Sequence, residues 1–323
     1  MQRRPAGADE QRGRFMARYI LKRLGVGVIS LFILVTVTFF LLHAIPGGPF
    51  SPEDNRNVPP KILEKISDQY GLNDPVPEQY ARYLSNLMHG DFGTSFKKQD
   101  TTVNELIAQG FPVSARVGAW GILISLIAGI LLGIIAAVKR GKIPDMIAMV
   151  IATIGVSVPS FVICVLMMYV FCEKLKLLPS YGLTSWKHYL LPVFCMAFSQ
   201  IAYITRLMRS SMLETMRQDY IRTERAKGTP EYLVISRYAM KNSLLPIVTY
   251  VGPMVAALLT GTFIIEKLFS VPGLGRYFVT AIGDRDYSVT LGLTIFVGTL
   301  IILCNLIVDI LYAVIDPRIK IDK

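Results

Sequence analysis

The chain has 323 residues, 52% of them hydrophobic and only 18% charged, against about 25% charged in an ordinary water-soluble domain. A mean hydropathy of +0.47 excludes the pair of soluble domains that length alone would imply and points to a lipid-embedded chain. The net charge of +11, which in a soluble protein would raise nucleic acid as a partner, reads here as membrane topology, because Lys and Arg accumulate on the cytoplasmic side of a bilayer.

A membrane-spanning helix needs roughly 20 mostly apolar residues. Six aliphatic stretches free of Asp, Glu, Lys and Arg fit: 24–45, 117–138, 146–172, 189–205, 242–265, and 287–308 with a continuation past Asp309 to Ile315. The expected fold is an all-α integral membrane protein with six transmembrane helices. Its parts are an N-terminal tail (1–23), a first span (24–45), an external loop or cap (46–112), a core of spans two to six (113–315) that contains a loop at 206–241, and a second tail (316–323). Of the 34 Lys and Arg, 21 fall in the tails and loops on one side and 12 in the loops on the other, which places both termini in the cytoplasm. The first span follows Arg18, Lys22 and Arg23 as a signal peptide would. Its apolar run exceeds the roughly 7–15 residues of a signal h-region, and no small-x-small cleavage site follows, so a retained span is expected.

The external loop is slightly acidic and carries helix signals. Tyr80, Tyr83, Leu84, Leu87 and Met88 recur at helical spacing, giving an apolar face that lies on the chain's own spans or on a partner. Thr102 and Glu105 form a capping-box pattern, and Gly110 stands where a helix C-cap belongs. In the second span Gly121, Ser125, Gly129, Gly133 and Ala137 fall every fourth position, a stripe that lets another helix approach closely. Pro159, Pro192 and Pro253 lie within later spans and should kink or break them. Cys164, Cys172, Cys195 and Cys304 all sit in apolar stretches and read as small buried hydrophobes.

The charged loop at 206–241 is the most informative stretch. Gly228 suits a helix C-terminus, Thr229 an N-cap, Pro230 a first helical position and Glu231 the positive end of the new helix. Two helices should therefore meet there at a sharp turn, which either docks a protein partner or solvates the membrane edge.

Signs of catalysis are sparse. His43, His89 and His188 have no metal-ligand spacing. The Gly141–Lys142 pair has Ala136 where a P-loop needs its first glycine. No catalytic or metal-binding residue is assigned, and no cofactor is expected on this chain. Intramembrane ionisable groups of the kind a proton- or sodium-coupled transporter uses are nearly absent. Glu266 lies at an external edge, and Asn305 and Asp309 share a face at i,i+4 spacing, where they either join helices or line a path.

At the charged turn the sequence resembles the permease subunits of ABC importers, whose motif runs acidic-Ala-Ala, three residues, then Gly. Arg222, Thr223, Glu224, Arg225, Ala226, Lys227 and Gly228 occupy that frame, with Arg222 at the usually acidic position, and Leu245–Pro246 matches the Leu-Pro that follows. The wording of 219–228 is similar to the dipeptide, oligopeptide and nickel branch of that family. So are 19–23, His43 with Pro46, Gly47 and Pro49, the stretch 90–95, the stretch 269–276, Arg285–Asp286–Tyr287, and Asp316–Pro317–Arg318. The long external loop resembles that of the first, B-type, of the branch's two permeases.

The resemblance implies a type I importer fold in the bacterial cytoplasmic membrane, and a chain that pairs with a second homologous permease. Two P-loop ATPase subunits, which carry ATP and Mg, would dock below, and an extracytoplasmic binding protein would deliver peptide. It assigns 222–228 to coupling with the ATPases. Ser157, Ser160, Gln200 and Tyr203, polar residues of the kinked middle spans, are the candidates for lining the substrate path. Nickel, glutathione or another small solute is the alternative cargo, an ion-coupled secondary transporter a more distant alternative, and a membrane-embedded enzyme a further one.

Overall fold

The computed structural model describes residues 7–45, 67–68, 70–98, 100–259 and 263–315, with side chains over 20–307 and at 310. Pro46, Gly47, Pro49, the stretch 316–318 and the side chain of Asp309 lie outside the described residues. Regular structure among the described residues is helical, apart from an isolated antiparallel bridge between Thr94 and Thr102.

In chain order the helices are α1 (Gly7–Ala44), α2 (Val76–Met88), α3 (Val103–Val138), α4 (Ile143–Ser157), α5 (Ser160–Met167, continued as a π-helical turn Met168–Lys174), α6 (Lys187–Thr215) and α7 (Asp219–Ala226). A short helical run, Glu231–Leu233, Val234–Ala239 and Met240–Ser243, leads to α8 (Leu245–Leu259), α9 (Phe263–Leu268), α10 (Leu274–Gly283) and α11 (Tyr287–Ile315). Among the described residues five segments are long and apolar enough to cross a membrane: Ile20–Ala44, Val103–Val138, Lys187–Thr215, Leu245–Leu268 and Tyr287–Ile307. The stretch expected as the third span, 146–172, is instead a pair of helices, α4 and α5, bent by 110°, the geometry of a broken span or of a re-entrant loop. The break follows from Pro159. A residue before proline is driven out of the α region, and Val158 sits at φ −88°, ψ 128°. Pro192 and Pro253, by contrast, lie inside uninterrupted helices, each forgoing one backbone hydrogen bond.

The chain divides into two units, one formed by the residues up to Phe111 with those from Tyr277 onward, the other by Pro112–Arg276. In the first, α1 packs on α11, where a Cβ on Gly27 would stand 2.9 Å from Ile302 Cγ2. Val35, Phe39, Leu291 and Ile295 form the buried cluster there, and α2 lays Tyr80, Tyr83, Leu84 and Leu87 on it. The apolar face of the external loop thus covers the chain's own helices, while Met88 remains exposed. Thr36 Oγ1 and Tyr80 Oη are 2.6 Å apart, and His43 Nε2 reaches Gln79 Oε1 at 3.2 Å. Ser95 Oγ donates to Asp286 Oδ2 at 2.5 Å and the Phe96 amide to Asp286 Oδ1 at 3.2 Å, so the 90–95 stretch is tied to the start of α11. The capping box forms as the spacing predicts: the Thr102 amide donates to Glu105 Oε2 at 3.1 Å and the Glu105 amide to Thr102 Oγ1 at 3.2 Å.

Gly110 does not end the helix that this box begins. α3 runs 36 residues to Val138, through Gly110 and Pro112, or about 54 Å at 1.5 Å per residue. Gly110 takes no left-handed φ, and the apolar stretch beyond it continues the helical pattern, which outweighs the roughly 1 kcal/mol cost of an interior glycine.

In the second unit the small-residue stripe of α3 receives α6. A Cβ on Gly129 would stand 2.7 Å from Ile204 Cβ, and one on Gly133 2.5 Å from Met208 Cβ. Ser125 Oγ donates to Gly121 O at 2.6 Å and lies 3.3 Å from Ala197 O. Close backbone approach is the purpose of such a stripe. α4 packs on the far part of α6, where a Cβ on Gly155 would meet Ala202 Cβ at 2.6 Å. Glu266 is buried, accepting from the Gly275 amide at 2.8 Å, and Ser114 Oγ accepts from the Leu274 amide at 2.9 Å. Cys164, Cys195 and Cys304 are buried and Cys172 half-buried, all as free thiols.

Candidate functional site

The charged turn begins four residues after α6 ends, with Gln218 extended (φ −69°, ψ 150°) before the eight residues of α7. Asp219 occupies the first turn of α7 and Arg225 the last, each complementing the helix dipole. Ile221 is fully buried and anchors the helix, and Tyr220 Oη accepts from Asn242 Nδ2 at 2.8 Å.

α7 closes in a Schellman motif. The Gly228 amide donates to Arg225 O at 3.0 Å and the Thr229 amide to Glu224 O at 3.2 Å, satisfying carbonyls that a helix end leaves open. The motif requires a left-handed residue, and Gly228 has φ +78°. A Cβ there would meet nothing within 4 Å, so glycine is needed for its conformation and not for space.

Thr229 is not the N-cap of the next helix, as its position predicted. Pro230 holds that place (φ −58°, ψ 140°), with Glu231 as the first helical residue and no side chain capping it. The Thr229 amide is already engaged in the Schellman motif, and its hydroxyl lies 3.4 Å from Glu224 Oε2.

Most of the turn's charges are paired within it. Arg225 grips Glu231 with two bonds, Nε to Oε2 at 3.0 Å and Nη2 to Oε1 at 2.6 Å, across the corner. Lys227 Nζ meets Glu224 Oε1 at 2.7 Å. These contacts hold the Glu231 and Glu224 carboxyls below the usual carboxylate range and raise Arg225 and Lys227 above their ordinary values. Arg222 is different: its side chain is 74% exposed and only 3.6 Å from Asp219. Thr223, Ala226 and Gly228 are also exposed. Tyr220 (38% exposed) and Tyr232 (69%) present aromatic rings on the same segment, a feature that the frame of the motif did not single out.

The four path candidates fall into two pairs. Ser157 closes α4 and Ser160 opens α5, so they flank the Pro159 break. Gln200 Oε1 accepts from Tyr250 Oη at 2.5 Å, and the rings of Tyr203 and Tyr250 are 4.2 Å apart. No hydrogen bond joins the two pairs among the described residues. None of the four lines the cleft of about 970 Å³ bordered by Arg116, Trp120, Phe171, Trp186 and Phe194.

One ionic contact went unanticipated: Arg209 of α6 binds Asp145 of α4. Both lie just outside the expected spans 146–172 and 189–205. The available signal was that Asp145 is the one acid between Glu105 and Glu173. Among the described residues no group of three or more His, Cys, Asp or Glu is placed to hold a metal ion.

Among the described residues, five helical segments long and apolar enough to cross a membrane, with the bent pair α4–α5, mark an integral, multi-pass membrane protein. The chain belongs to the binding-protein-dependent transport system inner membrane component family, whose pattern matches residues 129–321, with the family's N-terminal pattern matching 16–117. It is 45% identical over 307 residues to the oligopeptide transport system permease protein of Salmonella typhimurium, covering 94% of this chain and 100% of that one. It is 42% identical over 308 residues to the dipeptide transport system permease protein of Bacillus subtilis, covering 95% and 99%. A dipeptide transport system permease protein of Lactococcus lactis is 39% identical over 306 residues.

Proposed function

We propose that the chain is the membrane-spanning permease subunit of an ATP-driven importer that carries peptides across a bacterial cytoplasmic membrane, with both termini inside. The supporting observation is the end-to-end match to permeases named for oligopeptide and dipeptide transport. The chain itself is non-catalytic. ATP and Mg belong to two P-loop ATPase subunits, a second homologous permease completes the pore, and an extracytoplasmic binding protein delivers the peptide.

In this reading the 222–228 turn seats in a groove of an ATPase. The corner is stiffened by the Schellman closure and the Arg225–Glu231 bonds, so it passes on displacement instead of absorbing it. Arg222 and the rings of Tyr220 and Tyr232 are exposed on this segment and make the contacts. ATP binding closes the ATPases, the turn moves with them, and the path opens outward to receive peptide; hydrolysis and product release return it inward. Ser157, Ser160, Gln200 and Tyr203 line that path.

The test is to extract the complex through a C-terminal tag in mild detergent and identify its stoichiometric partners by mass spectrometry. A second permease with P-loop ATPases is the expected result. Recovery of this chain alone, intact and monodisperse, would overturn the importer reading and favour secondary transport.

A further inference from the structure

We propose that the Asp145–Arg209 ion pair is the link by which movement of the 219–228 turn reaches the bend at Pro159, which makes both residues positioning residues for transport. The inference rests on the reading of that turn as the ATPase-docking element.

A buried ionisable group is costly unless it is paired and hydrogen-bonded. Asp145 is 4% exposed. Arg209 Nε donates to its Oδ1 at 2.6 Å and Nη2 to its Oδ2 at 2.8 Å, while the Gly141 amide donates to Oδ2 at 2.9 Å. The two bonds form the planar fork that guanidinium makes with carboxylate, which fixes orientation as well as distance. Removing Arg209 would leave the buried Asp145 carboxylate without its partner, a costly state that favours keeping the contact made.

Its place in the chain gives it leverage. Arg209 lies six residues before the end of α6, and the three residues between α6 and α7 stay hydrogen-bonded to the helix: Met216 to Met212, Arg217 to Glu214, Gln218 to Thr215. The linker is thus short and internally bonded, and displacement of α7 reaches α6 through Gln218, the one extended residue between them. α4 touches α6 at a second point, Gly155 against Ala202. The two contacts are separated by seven residues on α6 and ten on α4, or about 10–15 Å along the helices. The ion pair fixes the orientation of the first turn of α4 on α6, and the close packing beyond it makes α4 turn with α6. The next joint in the chain is Val158–Pro159, where the 110° bend lies and the Ser157 and Ser160 hydroxyls flank the corner.

The experiment uses the whole complex, permeases, ATPases and binding protein, reconstituted in lipid vesicles. ATP hydrolysis and uptake of a labelled alanine peptide are measured separately, and ATPase content is quantified. Asp145→Asn and Arg209→Gln should keep the ATPases bound and hydrolysing while peptide moved per ATP falls by about tenfold or more, within the usual range of coupling between sites. The exchange Asp145→Arg with Arg209→Asp should restore much of the ratio. An unchanged ratio in the single variants overturns the proposal. So does a proportional loss of uptake and hydrolysis, which marks a purely structural pair, and so does failure of the exchange to recover the ratio while the ATPases stay bound. A wild-type complex devoid of ATPases would instead overturn the importer reading itself.

Discussion

Replacement of Gly228 isolates the conformational requirement of the turn. The residue sits at φ +78° with open space where a Cβ would go, so Gly228→Ala introduces no clash, and its cost is that of a left-handed L-residue, about 1–2 kcal/mol. If the chain relaxes out of that conformation, the Gly228 and Thr229 amides lose their bonds to Arg225 and Glu224, each worth roughly 0.5–1.5 kcal/mol net. The closed turn then drops in population by about 5–30-fold for the strain alone. Asn tolerates the left-handed region better than Ala, and a β-branched residue worse. ATP-driven peptide uptake by reconstituted complexes should therefore rank Gly above Asn, Asn above Ala and Ala above Val. Gly228→Pro, whose ring fixes φ near −65°, should abolish transport while leaving the protein in the membrane. Equal uptake by Gly, Ala and Val, or full uptake by the Pro variant, would refute the claim that the left-handed closure matters.

The Arg225–Glu231 pair is half-exposed and should contribute no more than about 1 kcal/mol. Because Glu231 titrates below its ordinary value when folded, that contribution is complete above the ordinary carboxylate pKa and disappears as pH falls through the lowered one. Hydrogen exchange of the turn in wild type and Glu231→Gln should converge in acid, and a difference that persists there would contradict the assignment. Gly133→Ala places a Cβ 2.5 Å from Met208 Cβ and 2.9 Å from Thr205 O, an overpacking worth about 1–3 kcal/mol, whereas Gly25→Ala meets nothing within 4 Å. Thermal unfolding in detergent should drop for the first and hold or rise for the second, and a shared direction would count against the packing account. Ser95→Ala removes a bond to a buried carboxylate, worth roughly 1.5–3 kcal/mol, and should speed amide exchange across 90–102; unchanged exchange would remove Ser95 from the anchor.

The parts legible beforehand were those whose causes are local. Thr102 and Glu105 are three residues apart, and Gly228 acts through its own φ, so each could be read from a few neighbouring letters. The stripe from Gly121 to Ala137 declared a packing face, though not that α6 would fill it. Competition among local signals defeated the rest. Gly110 reads as a stop, yet the pattern beyond it continues the helix, and Thr229 reads as a cap, yet its amide already closes the helix behind it. The Asp145–Arg209 contact spans 64 residues, and no periodicity pairs two charges that each resemble a loop residue. For Ser157, Ser160, Gln200 and Tyr203 polarity within a span was the whole of the signal, and polarity does not say which neighbour a side chain will meet.

The pairing inside the turn also governs how it is sensed from a distance. Asp219, Arg222, Glu224, Arg225, Lys227 and Glu231 are three acids and three bases, and four of the six are joined at 2.6–3.0 Å. Opposite charges this close cancel one another's field well inside the Debye length of about 8–10 Å at ordinary ionic strength. The corner itself is therefore recognised at contact, by its shape and its tyrosine rings, while any steering from a distance falls to the excess of Lys and Arg in the rest of 206–241.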